Sequence, residues 1–228
     1  PPRSTLFPYT TLFRSSMNVK EMASMFLGCS SVKSLDVSRF NTSKANNLVF
    51  MFSHCRNLKK IDVSNFDTSN IEDISGMFEY CSMLTSLDIS KFNTAKLSTI
   101  DNLFQGCSAL TSLDLKKFNT SHVTSMNHLF ESCTSLVSLD LSNFDTKKVT
   151  SMMAMFGGCT NLEYLDLSTF DTSNVKSFNG MFRECYSLTS LDLSNFKTNS
   201  STSLNDMFEL CEKIEEIKLP IFNISKES

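Results

Sequence analysis

The sequence predicts an α/β solenoid, a stack of short units that each contribute one strand and one short helix. Three observations carry this reading. All eight cysteines, Cys29, Cys55, Cys81, Cys107, Cys133, Cys159, Cys185 and Cys211, fall 26 residues apart. A phenylalanine series keeps the same period at Phe26, Phe52, Phe78, Phe104, Phe130, Phe156, Phe182 and Phe208. A second runs through Phe40, Phe66, Phe92, Phe118, Phe144, Phe170, Phe196 and Phe222. A fixed period between about 20 and 50 residues marks a stacked repeat architecture.

The unit is clearest at residues 125–150. Ser125 and its equivalents Glu21, Asn47, Asp73, Thr99, Ser151, Ser177 and Ser203 sit where a helix N-cap would, and all but Glu21 are good capping residues. Met126, Leu129, Phe130 and Cys133 follow at i, i+3, i+4 and i+7, one face of a helix. Asn127, His128, Glu131 and Ser132 take the other face. At about two turns, such a helix is too short to survive alone. In the segment 136–142, Leu139 and Leu141 alternate with Ser138, Asp140 and Ser142, the period of a half-buried strand. Asn143-Phe144-Asp145-Thr146 then turns the chain and drops Phe144 inward, and Val149 and Met152 lead into the next unit. One unit cannot bury its own apolar face, whereas a stack of them can.

The repeat runs on without a linker, so one solenoid of about eight units is expected over 17–228. The net charge of −3 leaves no basic footprint for nucleic acid. No apolar run approaches the roughly 18 residues of a membrane helix. Residues 1–16 stand apart. Thr5 to Ser15, TLFPYTTLFRS, resembles the translation of a sequencing adapter. The repeat phase would place phenylalanine at 14 and Leu-Asp at 9 and 10, where the chain has Arg14, Tyr9 and Thr10. Val19, Met22, Met25, Phe26 and Cys29 are in phase. Residues 1–16 are therefore expected to be non-native and disordered, with Met17 internal, and the lack of a signal peptide does not argue against secretion. The last unit departs at Ser201, Lys218 and Pro220, as a C-terminal cap or a degraded repeat would.

The segment L-x-x-L-x-L, followed by a turn and a buried residue, resembles a leucine-rich repeat, with Phe144 and its equivalents where the general pattern has Asn or Cys. The fuller unit, M-F-x-x-C-x-x-L-x-x-L-D-L-S-x-F-x-T-x-x-V, is similar to the BspA-type leucine-rich repeat from Met17 to about Ser225. The resemblance implies a horseshoe with a parallel sheet on the concave side and short helices on the convex side. It also implies a cell-surface or secreted protein that adheres to host proteins or other cells.

Candidate chemistry is sparse. The cysteine ladder reads as buried thiols acting as small hydrophobes, with inter-repeat disulfides or a metal site as alternatives. Zinc favours close pairs such as C-x2-C, which are absent from the sequence. A nucleophile needs a base, and His54, His122 and His128 occupy unrelated phases. An aspartate ladder, Asp36, Asp62, Asp88, Asp114, Asp140, Asp166 and Asp192, should point outward from the concave face. On strands about 4.8 Å apart its carboxylates repel. Hydrogen bonds from flanking Ser hydroxyls or turn N–H groups are the plainer relief; calcium is the sharper alternative and is not favoured. Otherwise Ser-rich, that face is interrupted by Lys60, Lys116, Tyr164 and Glu216. The candidate ligand-reading set is Lys60, Asp88, Asp114, Lys116, Asp140, Tyr164 and Asp166. Sequons stand at Asn41, Asn119, Asn199 and Asn223. No catalytic constellation is recognisable. The expected function is a non-catalytic protein-binding module of a surface adhesin or antigen, with host or neighbouring-cell proteins as partners. The alternative is an intracellular scaffold, which unpaired thiols would suit.

Overall fold

The computed structural model describes residues 19–220. The expectations placed on residues 1–16 and Met17, and on Phe222 and Asn223, lie outside the described residues. Successive repeats stack in parallel with an offset of 26. β1 (Ser138–Leu139) pairs with β2 (Tyr164–Leu165), and β3 (Ser190–Asp192) pairs with β4 (Glu216–Lys218). Elsewhere the same segment is extended but sparsely bonded, as where the Lys59 N–H donates to the Lys33 carbonyl at 3.3 Å. The expected strand thus exists in each repeat as an extended stretch whose side chains alternate in and out. Among the described residues a continuous strand ladder does not form.

The expected helices do not form either; among the described residues there is no helix. The backbone N–H groups explain why. Those of Phe50, Phe52 and His54 reach forward to the Ser75, Met77 and Glu79 carbonyls of the next repeat, at 3.0, 3.0 and 2.7 Å. Those of Met51, Ser53 and Cys55 turn back three residues to Leu48, Phe50 and Phe52. An α-helix would commit every N–H to the carbonyl four residues earlier. Here half of them bind the neighbouring unit instead. Two residues per repeat, four apart, take positive φ to make this alternation: Phe50 (55°) and His54 (60°), then His128 (56°) and Ser132 (59°). A turn with left-handed backbone at its third residue has this geometry. The apolar stripe still faces inward, with Met126, Leu129, Phe130 and Cys133 all buried. The expected N-cap residues instead form isolated parallel bridges such as Ser125↔Ser151, Ser151↔Ser177 and Glu21↔Asn47.

The core is a set of ladders. The first phenylalanine series stacks ring on ring, with centroids 5.6 Å apart at Phe26–Phe52 and 6.4 Å at Phe78–Phe104. Phe40 through Phe196 of the second series are buried beside it.

Glycine matters where a large residue stands one repeat earlier. A Cβ on Gly76 would lie 2.2 Å from the Phe50 ring, and one on Gly106 would lie 2.4 Å from the Tyr80 ring. Ala154, at the position equivalent to Gly76, keeps a φ of 50°, so the backbone tolerates a side chain there. The ring is what does not. Gly76→Ala should therefore cost more than the roughly 1–2 kcal/mol of a left-handed residue, and Phe50→Ala should recover the excess. Urea unfolding of the two single variants and the double measures this coupling. Additive effects would place the ring elsewhere.

Candidate functional site

Three outward columns make up the strand face. The first is Ser34, Lys60, Ser86, Ser112, Ser138, Tyr164, Ser190 and Glu216; the second is the aspartate ladder, continued by Lys218. The third is Ser38, Ser64, Ser90, Lys116, Ser142, Ser168 and Ser194. Alternation puts Leu139, Leu165 and Leu191 beneath them in the core.

Every aspartate of the ladder is held by the same local device. Its Oδ1 accepts the backbone N–H two residues on, at 2.9 Å for Asp62, Asp88 and Asp166, 3.0 Å for Asp36, Asp114 and Asp192, and 3.2 Å for Asp140. This Asx turn orients the carboxylate and leaves Oδ2 toward solvent. The Ser hydroxyl and N–H hold the carboxyls of Asp36, Asp62, Asp88, Asp140 and Asp192 below the usual range; for Asp166 the Ser168 N–H contributes most. The repulsion between neighbours is thereby offset by local donors. At the end of the ladder the Lys218 Nζ lies 3.3 Å from Asp192 Oδ2. Among the described residues no group of three or more His, Cys, Asp or Glu side chains could hold a metal ion.

The candidate residues all reach solvent, but as a row rather than one pocket. Lys60 and Asp88 border a single depression. Lys116 lies close enough to Asp140 to favour its ionised form. Tyr164, on β2 beside Ser138, is 62% exposed, and Val137 is exposed nearby. Four repeat spacings of about 4.8 Å put Tyr164 roughly 19 Å from Lys60. Asp114 and Asp166 continue the row.

Thr146, read from the sequence only as the end of a turn, belongs to a buried threonine ladder. Thr42, Thr68, Thr94, Thr120, Thr146 and Thr172 are buried. The Thr120 hydroxyl donates to the Asp145 carbonyl at 3.0 Å and accepts the Asp145 N–H at 2.8 Å. Thr42, Thr68, Thr146 and Thr172 repeat the pair of bonds. The signal was present as F-x-T at a period of 26.

All eight cysteines are free. From Cys55 to Cys211 each Sγ donates to the phenylalanine carbonyl 29 residues earlier, at 3.0–3.2 Å. Burial pushes the Cys55 thiol up to about 11 and those of Cys107 and Cys159 up to about 12. Since the thiolate is the reactive form, a thiol reagent at pH 8 should label half-buried Cys29 first and Cys107, Cys133 and Cys159 only on unfolding. Mass spectrometry of the native chain reads this; prompt labelling at Cys133 would contradict the burial.

Away from the strand face, the His128 Nδ1 lies 2.9 Å from Glu131 Oε2, to which Gln105 Nε2 also donates. The Glu131 hydrogen bond raises the His128 pKa, partly opposed by burial, with further help from the Glu131, Asp101 and Glu79 charges. A raised value means the bond stabilises fully below the unfolded His pKa of about 6.5 and is lost as pH rises through the folded value. His128→Gln should therefore lower Tm at pH 5.5 and have little effect at pH 9. An equal loss at both would exclude the charge.

No helix among the described residues is long and apolar enough to cross a membrane. The family described as Mycoplasma protein of unknown function, DUF285, matches the chain over residues 14–112, 54–162 and 98–222. No curated protein matches it. Among solved structures, the T. pallidum leucine-rich repeat protein is 22% identical, with a TM-score of 0.48 over 75% of this chain and 72% of that one. A leucine-rich repeat protein from Eubacterium ventriosum is 21% identical, with a TM-score of 0.45 over 80% of this chain and 41% of that one, so the chain spans less than half of it. A leucine-rich cell surface protein from Faecalibacterium prausnitzii is 15% identical, with a TM-score of 0.33 over 91% of this chain and 70% of that one.

Proposed function

The chain belongs to the family described as Mycoplasma protein of unknown function, DUF285, and we propose that it is a non-catalytic protein-binding repeat module whose strand face meets the partner. One observation carries the reading. The face is a regular Ser–Asp–Ser lattice with its carboxylates pre-oriented by Asx turns, interrupted by a few larger exposed residues, Lys60, Lys116, Tyr164, Glu216 and Lys218. Stacked repeats present extended surfaces of this kind. Groups already held in place lose little freedom on binding, which favours affinity. An exposed tyrosine on a rigid rung is the type of residue that anchors protein interfaces. The BspA-type resemblance of the unit supports a cell-surface or secreted adhesin or antigen, with host or neighbouring-cell proteins as partners.

A solid-phase assay of the chain against matrix and plasma proteins tests this. Saturable binding should appear and should fall at least about tenfold in Tyr164→Ala/Asp140→Asn/Asp166→Asn. No saturable binding to any of them would count against the adhesin. The second reading, an intracellular scaffold, is favoured by the eight free thiols. Antibody labelling of intact against permeabilised source cells separates the two.

A further inference from the structure

Near the first described repeats, the strand face sinks into a depression of about 520 Å³. Its walls carry the hydroxyls of Ser34, Ser64 and Ser86 and the charges of Lys60, Asp62 and Asp88. Two features of its charges matter. Lys60 is exposed, and among the described residues it makes no ion pair. The Asp62 carboxylate is opposed by the charge of Asp88 and, among the described residues, has no cation beside it to favour its ionised form, whereas Asp88 has Lys91 and Lys117. Asp140 likewise has Lys116, and Asp192 has Lys218. Lys60 is therefore left without an anion, and Asp62 without a cation.

The spacing narrows what could supply both. Lys60, Ile61 and Asp62 alternate out, in, out along extended backbone. A two-residue step there is about 6.6–6.8 Å. An extended peptide laid against it shows its own side chains with the same step, provided acid and base are separated by one residue. The Lys218 ammonium, set one repeat beyond Asp192 and 3.3 Å from its Oδ2, exemplifies how a cation meets the free oxygen of a ladder carboxylate. A bare divalent ion is a poorer occupant, because calcium seeks about six to eight oxygens and the depression offers two carboxylates beside an ammonium. A uniformly acidic or basic chain would satisfy one wall and repel the other.

We propose that this depression docks an extended acid–x–base segment of a protein partner, its carboxylate on Lys60 and its ammonium or guanidinium across Asp62 and Asp88. The proposal rests on the reading of the strand face as a protein-binding surface and names the charge pattern selected there.

The test uses the 228-residue chain and three synthetic peptides, Ac-Ser-Glu-Ser-Lys-Ser-NH2, Ac-Ser-Ser-Glu-Lys-Ser-NH2 and Ac-Ser-Lys-Ser-Lys-Ser-NH2, followed by amide chemical-shift perturbation. The first should shift the signals of residues 60–62 and 86–88 and bind at least about fivefold more tightly than the second, whose adjacent charges point to opposite sides when extended. Lys60→Glu, an exposed change that should leave Tm unaltered, should abolish that preference and favour the double-lysine peptide. Equal binding of the first two peptides, shifts elsewhere, no binding, or indifference to Lys60→Glu would each overturn the proposal. If a matrix or plasma protein still bound through Tyr164, Asp140 and Asp166, the depression alone would be refuted. If no protein bound while the first peptide did, the adhesin reading would fail instead.

Discussion

Phe130→Ala is expected to destabilise the chain by about 3–5 kcal/mol, the largest effect of any single substitution considered. The Phe130 ring is fully buried between Phe104 and Phe156, with both centroids 5.8 Å away and the planes within 12°. Truncation removes transfer energy and leaves a cavity that two rigid neighbours cannot close. It also breaks two aromatic contacts, each worth about 0.5–1.5 kcal/mol beyond area. Because each repeat touches only its neighbours, the damage falls on two interfaces in mid-stack and should split cooperativity as well as lower stability. Urea unfolding followed by circular dichroism measures both. Phe208→Ala, in a ring only partly buried at the end of the described stack, should cost clearly less. Equal costs would mean that the stack is not the source of the stability.

Thr120→Val is the second large effect, expected at about 2 kcal/mol or more. Valine matches threonine in shape but strands the N–H and the carbonyl of Asp145, which the hydroxyl now serves together. Each stranded group costs about 1–3 kcal/mol where water cannot reach it. Thr120→Ser keeps both bonds and should lose only the burial of one methyl, about 0.8 kcal/mol. Hydrogen exchange at the Asp145 amide should accelerate in the valine variant and not in the serine one. If both variants behaved alike, the ladder would be a packing feature with incidental hydrogen bonds.

The same two ladders show what could be read in advance. The phenylalanine series was legible because identical side chains at a fixed period must meet when units stack, whatever the backbone between them does. The aspartate series was legible as outward for the same reason, and its relief by local donors followed from short-range turn chemistry. Of the candidate site, the exposure of Lys60, Tyr164 and their companions could be read from the alternation around them. Their distribution along a row, with only Lys60 and Asp88 bordering one depression, could not. The threonine ladder went unread because a hydroxyl beside a serine fits a solvated turn equally well until the next repeat is in place.

The helices mark the limit. Met126, Leu129, Phe130 and Cys133 carry a helical spacing, yet the same spacing places side chains inward from a pair of turns with positive φ at His128 and Ser132. Periodicity reports where side chains point, not where N–H groups go. By itself the sequence determined the 26-residue period, the parallel stacking register, the composition of the core ladders and the outward columns, because all of these follow from side-chain identity repeated in phase. Only the tertiary structure decided the backbone path between them. An N–H such as that of Phe52 has a carbonyl four residues behind it and another, Met77, in the neighbouring repeat, and the choice between them exists only once the neighbour is present.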